Sequence, residues 1–248
     1  MNITELQTEI SNEDTKALWV FAYGSLCWKP GFEFHKAITG FVKGYERRFW
    51  QGNKTHRGTC DQPGRVATLV EDEVGKVHGV AFAISGEAAI PYLSQRECKL
   101  GGYISHFTDF YPLQGESFKV LVYIATPNNP HWMGQADAKT LAEQIVKCKG
   151  ASGSNVEYVL RLANFVREHF SDQQDPHLFE LEREVLMLVR NERLCLETLM
   201  GDGEGCVSFI KGQFGSSTSQ QLEVEEDRTD THKFTMRIQA TKLRCLNI

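Results

Sequence analysis

The sequence predicts an α+β fold, a small mixed β-barrel or curled sheet with flanking helices, on three observations. Between Leu18 and Thr126 the chain falls into short segments rich in Val, Ile, Phe, Tyr and Trp, each bounded by Gly, Pro, Asn or Asp. These segments follow one another with little helical sequence between them, which favours antiparallel or mixed pairing that curls toward a barrel. From about residue 137 the apolar spacing changes to that of amphipathic helices.

The elements run in this order. Residues 1–16 are polar and acidic, without a signal-peptide core, and read as a flexible leader. Residues 17–198 read as one α+β domain. Its first strand is LWVFAY (18–23), followed by FVKGYERRFWQG (41–52). Alternation along the second strand sends Tyr45, Arg47 and Phe49 to one face and Arg48 and Trp50 to the other. RVATLVE (65–71) and KVHGVAFAI (76–84) follow, with residues 71–76 read as a hairpin loop. EAAIPYLSQR (87–96) is a candidate helix limited or kinked by Pro91. YISHFTDFY (103–111) and FKVLVYIAT (118–126) complete the strands.

The first clear helix covers 137–148, with Asp137 as N-cap and Leu141, Ala142, Ile145 and Val146 on its apolar face. The second covers 154–170 and opens on Ser154-x-x-Glu157, a capping-box pattern, with Val156, Val159, Leu160, Ala163 and Val166 as its stripe. The third starts at Asp175-Pro176 and runs to about Thr198. Residues 199–248 form a Gly-, Ser- and acid-rich C-terminal tail in which alternation at 233–243 could add an edge strand.

Composition excludes several classes. A net charge of −5 over 248 residues leaves no broad basic surface for nucleic acid, and Arg47-Arg48 is the one short basic run. No apolar run approaches the roughly 18 residues of a membrane span. The 7 cysteines show no CxxC spacing and the 8 histidines no HxxxH or HxH, so no metal site is expected and the thiols read as reduced. The chain reads as soluble and cytoplasmic, with its oligomeric state open.

Four places could carry chemistry. Tyr23-Gly24-Ser25-Leu26 is a glycine turn directly after a buried strand. It can aim backbone N–H groups at a carboxylate or oxyanion, or be a plain bulge or hairpin turn packing Leu26 and Trp28 into the core. Ser25 lacks the G-x-S-x-G setting of a nucleophile. Glu97 precedes Gly101-Gly102, where the backbone can pass close to a ligand or another strand. A carboxylate desolvated there becomes a base, whereas most glutamates are merely exposed. In GYERRFWQGNKTHRG (44–58) an inward arginine could hold a substrate carboxylate or serve cross-strand pairing. Tyr158, early in the second helix, could turn its hydroxyl into a pocket or be a core aromatic.

The blocks VFAYGSLCWKPGFEF, GFVKGYERRFWQG, HRG with PGRVATLVED, GVAF, RECKLGGY, FYP, LVYIATPNNP and GASGSNVEYVLRLANFVR occur in this order from Leu18 to Arg167. Together they resemble the ChaC family of glutathione-specific gamma-glutamylcyclotransferases. The resemblance implies a gamma-glutamylcyclotransferase-like fold and a lyase reaction on glutathione without metal or cofactor. The α-amine of the gamma-glutamyl group attacks its own side-chain carbonyl, forming 5-oxoproline and releasing cysteinylglycine. The family's catalytic glutamate falls on Glu97. Its substrate loop falls on Tyr23, Gly24, Ser25 and Leu26 and extends to Cys27 and Trp28, while Tyr103 and Tyr158 are similar to pocket tyrosines. Many members read Arg-Glu-Lys-Gly-Gly-Tyr where this chain has two more residues, a spacing similar to one branch of the family, which leaves the placement of Tyr103 relative to Glu97 open. Two alternatives stand beside this reading: a cyclotransferase for other gamma-glutamyl amines or dipeptides, and a non-catalytic binding protein on the same fold.

Overall fold

A computed structural model of the chain describes residues 17–85, 91–93, 102–170, 175–203 and 206–207. The expected leader, the edge strand at 233–243, most of the candidate helix at 87–96 and Glu97 lie outside the described residues. Five strands form the frame: β1 (Ala17–Ala22), β2 (Lys36–Asn53), β3 (Gly64–Ser85), β4 (Ile104–Pro112) and β5 (Phe118–Ile124). They close into a barrel in the order β1-β3-β2-β4-β5. The neighbouring pairs are antiparallel except the closing one, where β1 meets β5 in parallel at Val20↔Leu121. Phe21, Phe49, Phe82 and Phe110 are fully buried, and Phe21 and Phe110 pack with ring centroids 5.7 Å apart. The barrel expected from the strand spacing is thus present.

The hairpin loop expected at 71–76 is not. β3 continues through it and pairs with β2 on both sides, at Tyr45↔Glu71 and at Lys43↔Lys76. Residues 72–75 bulge outward opposite Gly44, leaving Val74 89% exposed. Asp72 Oδ1 accepts from Val74 N at 3.0 Å, so the acidic-Gly signal marks a local turn inside a strand and not a reversal.

Helices α1 (Ala138–Ile145), α2 (Asn155–His169), α3 (Pro176–Asn191) and α4 (Leu196–Met200) follow the barrel. A small hairpin of β6 (Lys149–Gly150) and β7 (Gly153–Ser154) leads into α2. Asp137 caps α1 through Thr140 N at 2.9 Å, and Asp175 caps α3 through Leu178 N at 3.1 Å. The apolar stripes expected for α1 and α2 are buried throughout, each aliphatic side chain contributing roughly 1.5–3 kcal/mol. The third helix is shorter than expected. It ends at Asn191, Arg193 takes a left-handed φ of 54°, and a separate helix begins at Leu196.

Candidate active site

β1 does not turn back at Gly24 in a hairpin or bulge. It runs into one turn of 3-10 helix, Ser25–Cys27, closed by Cys27 N donating to Gly24 O at 2.9 Å and Trp28 N to Ser25 O at 3.2 Å. The Leu26 amide has no acceptor within such a turn, the kind of donor that a carbonyl oxygen or carboxylate takes. Tyr23 anchors the strand end by donating its hydroxyl to Tyr123 O of β5 at 2.5 Å. Behind the turn, Cys27 Sγ donates to Ala22 O at 3.3 Å, and burial pushes its thiol up to about 12. Trp28 packs its ring edge-on against Tyr158, centroids 5.4 Å apart.

The facing wall comes from α2. β1 covers β3 only from Val80 to Ser85, so the same edge of β3 near its start needs other partners. α2 supplies them. Asn155 accepts from Arg65 N at 2.6 Å and donates to Arg65 O at 2.8 Å. One helical turn on, the Tyr158 hydroxyl accepts from Ala67 N at 3.0 Å. Residues three apart on the helix thus meet residues two apart on the strand. That bond uses an oxygen lone pair and leaves the Tyr158 proton to donate. Burial raises the Tyr158 pKa to about 12, so the group stays neutral. Gly24 passes so close that a Cβ there would lie 2.7 Å from the Tyr158 hydroxyl.

The third wall is the loop leaving β2. Asn53 Oδ1 accepts from the amides of His56 and Arg57, both at 2.8 Å. The β6–β7 turn clamps the loop from outside, Ala151 N to Thr55 O at 3.0 Å and Ser152 N to His56 O at 2.9 Å. Arg57 reaches inward to Ser154 O at 2.9 Å and to Glu157 Oε2 at 2.6 Å. Glu157 therefore does not complete the expected capping box. Its other oxygen accepts from Arg161 at 2.7 Å, and Ser154 caps α2 alone, through Val156 N at 3.1 Å.

These walls enclose a cavity of about 280 Å³, at the small end for ligand sites and suited to a small polar molecule. Of the expected site residues, Tyr23, Gly24, Ser25, Leu26, Tyr103 and Tyr158 line it. Cys27 and Trp28 do not: they are core side chains that seat the turn. Glu97 lies outside the described residues, but Tyr92 and Tyr103, on either side of it in sequence, both line the cavity. Gly102 has a φ of 66° and receives Asn129 Nδ2 on its carbonyl at 2.8 Å, so its close approach is to a side chain of the protein. Of the arginines in the 44–58 stretch, Arg57 lines the cavity, whereas Arg47 pairs with Asp175 and donates to His78 O at 2.6 Å away from it. The sequence reading missed Lys29 and Ser152 as cavity residues, and it took Asn53, Thr55, His56 and Arg57 only as part of the candidate stretch 44–58 without singling them out. Their one signal was HRG beside a glycine-rich GASGS, which says nothing of contact between them. Among the described residues no group of three or more His, Cys, Asp or Glu side chains gathers to hold a metal, and no helix is long and apolar enough to cross a membrane.

A family model described as ChaC-like protein matches residues 18–188. Over 179 residues the chain is 46% identical to glutathione-specific gamma-glutamylcyclotransferase 1 of Danio rerio, covering 70% of this chain and 91% of that one. It is 48% identical over 170 residues to the Homo sapiens protein of the same name, covering 66% and 77%. The crystal structure of a yeast gamma-glutamyl cyclotransferase specific to glutathione superposes with a TM-score of 0.65 at 25% identity, covering 70% of this chain and 97% of that one.

Proposed function

The chain belongs to the ChaC-like protein family, and from that premise we propose that it is a gamma-glutamylcyclotransferase that cleaves glutathione to 5-oxoproline and cysteinylglycine. The observation that carries this reading is the cavity itself. A buried strand opens there into the 3-10 turn at Ser25, opposite the neutral Tyr158 hydroxyl, and the residues flanking Glu97 in sequence line the same space.

The chemistry follows from what a lactam closure needs. The α-amine is protonated at neutral pH, so a base must take a proton before the nitrogen can attack. Glu97 takes it in this reading. The amine nitrogen then bonds to the side-chain carbonyl carbon, closing a five-membered ring and placing negative charge on the carbonyl oxygen. The Leu26 amide of the turn and the Tyr158 hydroxyl are the donors offered to that charge. Collapse breaks the bond to the cysteine nitrogen; Glu97 returns the first proton to that nitrogen and relays to it the second, which the ring nitrogen sheds, so the lactam leaves neutral and cysteinylglycine leaves as an ammonium. No water is consumed. The walls hold the gamma-glutamyl chain curled, which converts attack into a pre-positioned intramolecular step worth several kcal/mol.

Glu97→Gln removes the base with little change in volume. Release of 5-oxoproline from glutathione should fall about 10²- to 10⁴-fold while the circular dichroism spectrum stays that of the native chain. A fully active variant would refute Glu97 as the base. Selectivity is read by comparing glutathione, its oxidised form and gamma-glutamyl-alanine. Equal turnover of all three would replace the glutathione assignment by a broader gamma-glutamyl one.

A further inference from the structure

Arg57 carries more hydrogen-bonding capacity than the protein uses. Its side chain is only 4% exposed, yet a single nitrogen, Nη1, serves both protein acceptors, Ser154 O and Glu157 Oε2. Among the described residues no acceptor engages Nε or Nη2 of Arg57. These two nitrogens are not sealed away either. Arg47 Nε is a buried donor without a partner, whereas no Arg57 nitrogen is, and Arg57 lines the cavity. The unused edge of its guanidinium is a planar pair of donors, the geometry that takes a carboxylate in two parallel hydrogen bonds.

The charge count points the same way. Glu157 is shared by Arg57 and Arg161, at 2.6 and 2.7 Å, so among the ion pairs of the described residues two cations meet one carboxylate and the cluster carries a net positive charge. Burying such a charge is costly unless an anion joins it. The cluster is also rigidly seated. Gly153 approaches it with a φ of 113°, and a Cβ there would lie 2.5 Å from Glu157 Oε2 and 3.0 Å from Arg57 Nη1. The Arg57 guanidinium carbon lies 5.9 Å from the centre of the Tyr158 ring, which places the spare donors beside the proposed reaction centre.

We propose that Arg57 anchors a carboxylate of the substrate through its Nε–Nη2 edge and so selects gamma-glutamyl compounds that carry that carboxylate. This rests on the cyclotransferase reading above. Glutathione has two carboxylates, the α-carboxylate of its gamma-glutamyl end and that of its glycine. The test therefore compares lactam release from glutathione with release from two capped forms, one with the α-carboxylate and one with the glycine carboxylate converted to an amide. In the wild type, one cap is expected to lower kcat/KM about a hundredfold, mainly through KM, the scale of removing one partner of a buried charge pair. In Arg57→Gln, glutathione should lose by a similar factor and that capped form should no longer be worse than glutathione. Arg57→Lys keeps the charge without the fork and should recover only part of the discrimination.

Wild-type turnover that ignores both caps would overturn the anchor and leave the cyclotransferase reading standing. So would an Arg57→Gln variant that slows all three substrates equally, since that marks Arg57 as support for Glu157 alone. A wild type that releases lactam from none of them overturns both. If Arg57→Gln does not fold, the double variant Arg57→Gln with Glu157→Gln removes the stranded carboxylate too. The same loss of discrimination is expected of it, and discrimination retained in that variant would reject the proposal.

Discussion

Arg47 and Arg57 invite comparison. Both side chains are buried, 1% and 4% exposed, and each pairs with a carboxylate at the start of a distant helix, Asp175 capping α3 and Glu157 in the first turn of α2. Arg47 spends two of its nitrogens, on Asp175 and His78 O, and its third is sealed in the protein. One cation there faces one carboxylate. Arg57 spends one nitrogen, shares its carboxylate with Arg161 and opens on a cavity. Burial therefore does not separate a structural arginine from a ligand-binding one. The count of charges and of unused donors does.

The sharpest way to break that contrast is Arg47→Ala. It strands the Asp175 carboxylate against the barrel and should cost about 3 kcal/mol, read as a lower urea midpoint, while kcat/KM per folded molecule stays near that of the parent. An unchanged midpoint with a collapse in activity would move Arg47 into the site. The same region sets a pH dependence. Burial, then Arg47, lowers the His78 pKa to about 4, and burial, then Arg48, does the same to His177. Both lie below the unfolded value of 6.5, so between about pH 6.5 and about 4 the unfolded chain binds more protons than the native one. Their contribution is whole above about 6.5 and is lost as pH falls toward about 4. Urea midpoints across that range should decline, and less steeply in Arg47→Ala. A flat profile would count against both histidines.

On the cavity side the expected effects are on turnover. Gly24→Val drives a Cβ and two methyls into the Tyr158 hydroxyl, and a displaced turn should lower kcat on the order of a hundredfold. Ser25→Ala keeps the backbone donors and should cost about fivefold or less. The reverse order would shift the site's work from the backbone of the turn to the serine hydroxyl.

Much of this fold could be read from residue pattern, because alternation and apolar stripes report burial directly. Val156, Val159 and Leu160 announce a helix face, and Val120 to Ile124 a buried strand. The Glu71–Lys76 stretch misled because acidic residues and glycine favour any local turn, and only pairing with β2 on both flanks distinguishes a bulge from a reversal. Ser154-x-x-Glu157 misled because Glu157 had two stronger donors available, Arg57 being 100 residues away. The cavity was half legible. Tyr23 to Leu26 and Tyr158 carry local signals, a glycine turn after a strand and an aromatic on a helix. Arg57 carries a weak one, as the end of the basic stretch 44–58: a loop arginine beside a glycine is ordinarily solvated, and its role exists only once α2 has docked on β3.

The barrel closes along the parallel seam of β1 and β5, where Val20 faces Leu121 and the Tyr23 hydroxyl ties to Tyr123 O. Contacts that span so much chain carry a large loop-closure entropy and form slowly relative to local pairs such as β4 with β5. The cavity straddles this seam, with Tyr23 and Tyr123 both in its wall. A partly folded chain, even one with its β2–β3 ribbon complete, therefore has no pocket to offer, and turnover begins only when the last stave of the barrel is in place.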